Sequence, residues 1–92
     1  GLPSVTDLLD EDRARAFARA RLGGVIDQPE LLELLEVYLS EAGAVQRIAE
    51  RLGVHRNSVP ARLVRLRRAL GVDVEDAEQR ANLWFALHFL AE

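Results

Sequence analysis

Apolar positions along this chain recur at helical spacing, and the tightest pattern lies between Val45 and Leu70. Val45, Ile48, Ala49 and Leu52 follow at offsets of 3, 1 and 3, the repeat of one buried helix face. Gly53 comes next, where a helix stop needs a residue free to take positive φ. Val59, Leu63, Leu66 and Leu70 then follow at offsets of 4, 3 and 4 and draw a second continuous stripe. Two short amphipathic helices joined by a tight glycine-containing turn form the helix-turn-helix pattern, which makes duplex DNA the first partner to consider.

The rest of the chain also reads as helices. Residues 1–10 hold Pro3, Ser4 and Thr6 before acids and predict a lead segment with one weak helical turn. Asp10 is placed to cap a helix running to about Arg21, with Glu11 and Asp12 in its first turn and a thin stripe of Ala14, Phe17, Ala18, the Arg21 stem and Leu22. After Gly23-Gly24, Asp27 is expected to cap a stronger helix, with Pro29 in the first turn and Glu30 completing a capping-box-like start. Leu31, Leu34, Leu35, Tyr38 and Leu39 face the core there, and Glu30, Glu33, Glu36 and Glu41 form an acidic outer face. Gly43 ends that helix and Gly71 ends the Val59–Leu70 one. Asp76, with Gln79 three residues on, opens the last helix. Leu83, Trp84, Leu87, Phe89 and Leu90, with Ala86 and Ala91 between them, make that helix apolar on more than one face, so burial against the core or a second subunit is expected. No alternation long enough for a β-wing is present. The expected fold is all-α: a trihelical core with flanking helices at both ends.

Composition changes this picture little, but charge changes it substantially. The 92 residues suit one small domain, and 49% apolar with 29% charged residues fits a globular chain. Without Cys there is no disulfide framework and no thiolate metal site. His55 and His88 share no ligand spacing, the acids at 73–78 read as a connector and cap, and no phosphate loop or nucleophile arrangement occurs. Neither a metal nor a cofactor nor an enzymatic function is expected. The absence of a long apolar run predicts a cytoplasmic protein with no membrane partner. The chain opens Gly1-Leu2-Pro3 without Met, as an excised piece of a longer protein would.

A net charge of −3 argues against a nucleic-acid partner until its distribution is seen. Val45–Leu70 holds seven Arg (47, 51, 56, 62, 65, 67, 68) against the single acid Glu50. The other residues carry five Arg and fourteen acids. Local charge sets the field a phosphate backbone meets. All twelve cations are Arg, which suits bidentate phosphate and guanine contacts but follows more readily from a GC-rich genome. Arg56, Asn57 and Ser58 would enter the major groove first, as the N-terminal residues of a recognition helix do, with Arg suited to guanine and Asn to adenine; the alternative is that Asn57 and Ser58 serve only as helix caps. Arg62 and Arg65 are expected opposite the apolar stripe, facing phosphates. Arg47 and Arg51 on the preceding helix are backbone candidates. Arg67 and Arg68 are expected to pair with the acidic helix 30–41, His88 to be either packed or at the rim, and Trp84 with Phe85 and Phe89 to lie in the core.

Residues 30–90 resemble the C-terminal helix-turn-helix domain of the PucR and sugar-diacid-regulator family of bacterial transcription factors. The most specific pieces are Leu52-Gly53-Val54-His55-Arg56-Asn57-Ser58-Val59, then Arg62-Leu63, then Leu83-Trp84-Phe85-Ala86-Leu87. The helix-turn-helix layout is similar to that of the nucleoid protein Fis. The resemblance implies a DNA-binding output domain at 27–92, a helical lead-in at 1–26, and binding as a homodimer. It implies an effector read by a sensing domain outside this chain. Val59, Leu63 and Leu66 would be core, and His55, Arg56, Asn57, Ser58 and Arg62 would face DNA. A helical interaction module that kept the fold but weakened its DNA binding is the alternative.

Two departures from the family pattern stand out. Ala44 replaces the usual Asn, a better N-cap. Pro60-Ala61 replaces a basic residue followed by Tyr. If His55 caps the recognition helix, Pro60 is its fifth helical residue, and the N–H it lacks should have bonded the Arg56 carbonyl, a geometry that costs about 3 kcal/mol. Capping by Asn57 would put Pro60 in the first turn, where N–H groups lack partners anyway. A late or distorted start to the recognition helix follows, with His55 and Arg56 in the turn.

Overall fold

The computed structural model describes residues 3–90; Gly1, Leu2 and Ala91, all named above, lie outside the described residues. Five helices follow in order: α1 (Glu11–Leu22), α2 (Pro29–Ser40), α3 (Val45–Leu52), α4 (Val59–Leu70) and α5 (Ala77–Leu90). Single 3₁₀ turns occupy Val5–Leu8 and Arg56–Ser58, and no strand occurs among the described residues. The fold is all-α, and among the described residues no helix is long and apolar enough to cross a membrane.

Two packing units share this core. In one, α1 lies along α5. The Asp10 carboxylate caps α1 by accepting from Arg13 N–H at 3.0 Å, and the buried face of the helix is Ala14, Ala18 and Leu22. Two alanines in that face admit a close neighbour, and α5 answers with Leu83, Ala86 and Phe89. The pair is antiparallel. At one end Arg21 Nη1 donates to Gln79 Oε1 at 3.1 Å, and at the other Ala14 and Phe17 share a groove with Phe85 and Phe89. Arg21 also covers the Phe17 ring, 5.2 Å from its centroid, so the stem-and-ring stripe expected of this helix is present.

The second unit is trihelical, with α2 packed on both α3 and α4. Leu31, Leu34, Leu35, Val37 and Tyr38 of α2 meet Ile48 and Ala49 of α3 and Val59, Leu63 and Leu66 of α4 in one buried cluster. The connections are tied into the same core. Val25 and Val74 are fully buried, and Gly24 lies so close to the end of α4 that a Cβ there would stand 1.7 Å from the Ala69 carbonyl oxygen. Only glycine permits that approach.

Three expectations are corrected here. The cap of α2 is Gln28, not Asp27, because Pro29 takes the first helical position, where its fixed φ and missing N–H are harmless. The Gln28 side chain turns back instead to donate to the Gly24 carbonyl at 2.9 Å. Val45 is exposed, since as the first residue of α3 it stands beyond the reach of α2. Trp84 is 53% exposed and outside the core, because more than one face of α5 is apolar and only one can meet α1. His88 is exposed beside it, the two rings stacked at 6.1 Å and 19°. Asp76 caps α5 as expected, its carboxylate accepting from Gln79 N–H at 3.0 Å.

Candidate nucleic-acid interface

The geometry of the interface is set where α3 stops. Gly53 takes φ +69°, and Val54 N–H bonds the Ala49 carbonyl at 3.0 Å while Gly53 N–H bonds Glu50 at 3.3 Å. This is a Schellman closure, which uses up the last carbonyls of α3 and turns the chain sharply away. The segment 54–58 follows, and α4 then starts across the end of α3.

The start of α4 is late, and the hydrogen bonds show why. Arg56–Ser58 form a 3₁₀ turn in which Ser58 N–H bonds the His55 carbonyl at 2.9 Å and Val59 N–H bonds the Arg56 carbonyl. In a regular α-helix the Arg56 carbonyl would wait for residue 60, a proline with no N–H to give. The tighter turn satisfies it one residue earlier, and Pro60 falls in the first turn of α4, where no donor is missed. His55 and Arg56 are outside the regular helix, as the sequence predicts. The capping residue differs: Ser58, not Asn57, precedes α4, and His55 caps the 3₁₀ turn before it, its Nδ1 accepting from Asn57 N–H at 3.0 Å. Ser58 Oγ donates to the His55 carbonyl at 2.8 Å, so Ser58 is held by its own turn.

These bonds bring His55, Arg56, Asn57 and Ser58 together on one exposed corner, with only Ser58 half-buried. Along α4 the faces sort by period. Val59, Leu63 and Leu66 point inward, and Ala61, Val64, Arg65 and Arg68 are exposed on the opposite side. Arg62 is half-buried on the flank between them, so its expected place opposite the stripe is corrected. Sequence reasoning passed over Arg68 as an outward cation and Val64 and Ala61 as outward apolar residues. The offsets from Val59 already place all three there.

Electrostatics divides the seven arginines further. Arg51 is committed: Nη1 donates to Ser40 Oγ and stands 3.3 Å from Glu41 Oε1. Arg67 is committed too, its Nη2 bonding Glu75 Oε1 at 3.1 Å. The expected pairing of Arg67 and Arg68 with the acidic outer face of α2 is therefore not made. The connector after Gly71 folds back and supplies the acid, while the acid at the end of α2 goes to Arg51. Arg47, Arg56, Arg62, Arg65 and Arg68 make no ion pair with another described residue. The only acid on this stretch, Glu50, accepts from Gln46 Nε2 at 3.2 Å on the outer side of α3. Arginines without an ion pair among the described residues thus lie on α3, at the corner and along α4, in a chain that is acidic overall.

Known proteins share part of this sequence. An uncharacterised protein of the pkwA 5' region of Thermomonospora curvata is 44% identical over 84 residues, covering 87% of this chain and 47% of that protein. The purine catabolism regulatory protein of Bacillus subtilis (strain 168) is 31% identical over 90 residues, covering 94% of this chain and 17% of that protein. The chain spans less than half the length of either relative. No solved structure matches it significantly. The model of the PucR C-terminal helix-turn-helix domain matches residues 31–89, from the first turn of α2 almost to the end of α5, and the chain belongs to that family.

Proposed function

We propose that this chain is the DNA-binding output domain of a PucR-type transcription regulator, with residues 56–70 as the recognition element in the major groove. The observation that carries the reading is the corner built by His55–Ser58, which holds Arg56 and Asn57 at the leading end of α4, followed by the unpaired Arg65 and Arg68. Arg56, Asn57 and Ser58 meet base edges, His55 stands at the rim, and Arg62 and Arg65 meet phosphates. Arg47 approaches the backbone from α3. Arg51 does so only by releasing Glu41.

The domain acts in the cytoplasm as a homodimer on paired half-sites, the habit of bacterial helix-turn-helix regulators. The exposed Trp84, beside half-buried Leu87 and Leu39, supports a second copy as the neighbour of α5. Residues 1–26 are the lead-in that seats residues 27–92 through the α1–α5 contact, and an effector is read by a part of the longer regulator outside this chain. The domain has no catalytic role.

One observation favours a second reading. Pro60, Ala61 and Val64 make part of the outward face of α4 apolar, as a protein-docking module would have it. Fluorescence anisotropy with labelled duplex DNA, alongside sedimentation to establish the dimer, separates the two. Binding that falls steeply as salt rises from about 50 to 200 mM is expected, because arginine–phosphate contacts release counterions. A dimer with no binding at the lower salt overturns the DNA reading in favour of the docking module.

A further inference from the structure

We infer that Ala61 and Val64 are specificity-determining residues that read the C5-methyl groups of thymine in the major groove, an inference that rests on the DNA-binding reading above. Ala61, Val64, Arg65 and Arg68 follow at offsets of 3, 1 and 3 on the side of α4 opposite its buried stripe. Val64 is 41% exposed, although it is a large apolar residue that no element of the fold covers. Pro60 and Ala61 are exposed one turn before it, and α4 carries no acid anywhere along its length.

The occupant of this face follows from charge complementarity. Arg56 precedes the apolar patch and Arg65 and Arg68 follow it, all without an ion-pair partner among the described residues. A hydrophobic protein segment laid on the patch would have to bury or displace these cations. Duplex DNA meets both halves at once, since phosphates flank the groove and the groove floor offers one apolar group, the thymine methyl. Arginine, glutamine or asparagine at 60 and 61 would instead hydrogen-bond base edges. With proline and alanine there, α4 has no side-chain donor between Ser58 and Arg62 on its leading turn. Base reading in this part of the helix is therefore apolar, with Arg56, Asn57 and Ser58 supplying the polar contacts. Spacing fits as well. Ala61 and Val64 are about 4.5 Å apart along the helix axis at a rise of 1.5 Å per residue, against about 3.4 Å per base step, so they cover one or two neighbouring base pairs.

The test begins with duplexes selected from a randomised pool by repeated retention on this chain at low salt. Each thymine of the selected duplexes is then replaced singly by uracil, which removes the methyl and leaves every hydrogen-bonding group in place. We expect one or two thymines at the same or adjacent steps whose replacement weakens binding about fourfold each, the transfer effect of one buried carbon. In Val64→Ala, which leaves an exposed helix position with a stronger helix former, the penalty at one of these thymines should disappear while salt-dependent binding to unselected DNA persists. Uniform tolerance of uracil overturns the inference but leaves DNA binding standing. So does binding without any sequence enrichment, or a uracil penalty that Val64→Ala and Ala61→Gly leave unchanged. Failure to bind any duplex overturns the functional reading itself.

Discussion

Gly24→Ala is the sharpest stability test of this fold, because one added methyl meets main chain and not a flexible side chain. The new Cβ would stand 1.7 Å from the Ala69 carbonyl oxygen and 2.7 Å from its carbon, where ordinary contact begins near 3.4 Å. The α1–α2 link or the last turn of α4 must therefore move by well over 1 Å. The link is anchored by fully buried Val25, and α4 by Leu66 and the Gly71 N–H bond to the Arg67 carbonyl at 2.8 Å. Overpacking typically costs about 1–3 kcal/mol, and a main-chain obstacle with anchored neighbours puts this case near the upper figure, about 3 kcal/mol. At about 4–8 °C per kcal/mol for a domain of this size, the melting temperature should fall by about 12–24 °C. Gly23→Ala is the matched control. Gly23 has φ −54° and ψ −33°, a conformation any residue adopts, and its Cβ would meet Arg19 O at 3.1 Å. Its effect should stay within about 1 kcal/mol. Thermal melts followed by circular dichroism, with urea midpoints at constant slope, make the comparison. A Gly24→Ala chain that melts within about 4 °C of the parent would refute the close approach between the link and α4.

The remaining predictions concern the interface and the caps. Arg65→Ala should reduce the magnitude of the log K against log salt slope by about 1, whereas Arg51→Ala, whose guanidinium is held by Ser40 and Glu41, should change it by less than half that; anisotropy titrations across salt read both. Pro60→Ala supplies a new amide that can reach the Arg56 carbonyl, so the helix should extend back by one turn and the backbone amide at position 60 should be protected in hydrogen exchange. Free exchange of that amide would mean that the His55 cap alone dictates the 3₁₀ turn. Asp76→Ala removes the acceptor of the Gln79 N–H and should cost about 1 kcal/mol, read as a lowered urea midpoint.

Most of the fold was legible in the chain because its signals are local. Asp10, Gly53, Gly71 and Asp76 each mark a helix end through a conformation or hydrogen bond made with residues within a few positions. Pro60 was legible for the same reason: a missing N–H has consequences four residues back whatever surrounds it. Trp84 was not, since α5 is apolar nearly all round and its period names no single buried face. Only the antiparallel seat against α1 selects Leu83, Ala86 and Phe89. The arginine partners were not legible either. Whether Glu41 or Glu75 meets a given guanidinium depends on where the α2 end and the post-Gly71 connector fold back. Gly24 shows the limit most clearly, since a glycine pair reads as a break between helices and gives no sign that one member touches residue 69.

The His55 cap carries a consequence for hydrogen-bond polarity at the corner. A ring nitrogen that accepts from Asn57 N–H bears no hydrogen, so in the neutral imidazole the proton belongs to Nε2. The backbone therefore selects the tautomer, and the free edge of this exposed ring is a donor that cannot accept. Whatever meets it must bring an acceptor: a phosphate oxygen, guanine O6 or N7, adenine N7 or thymine O4 qualifies, and the amino groups of cytosine and adenine do not. The group that shapes the start of α4 thereby also filters what can approach it.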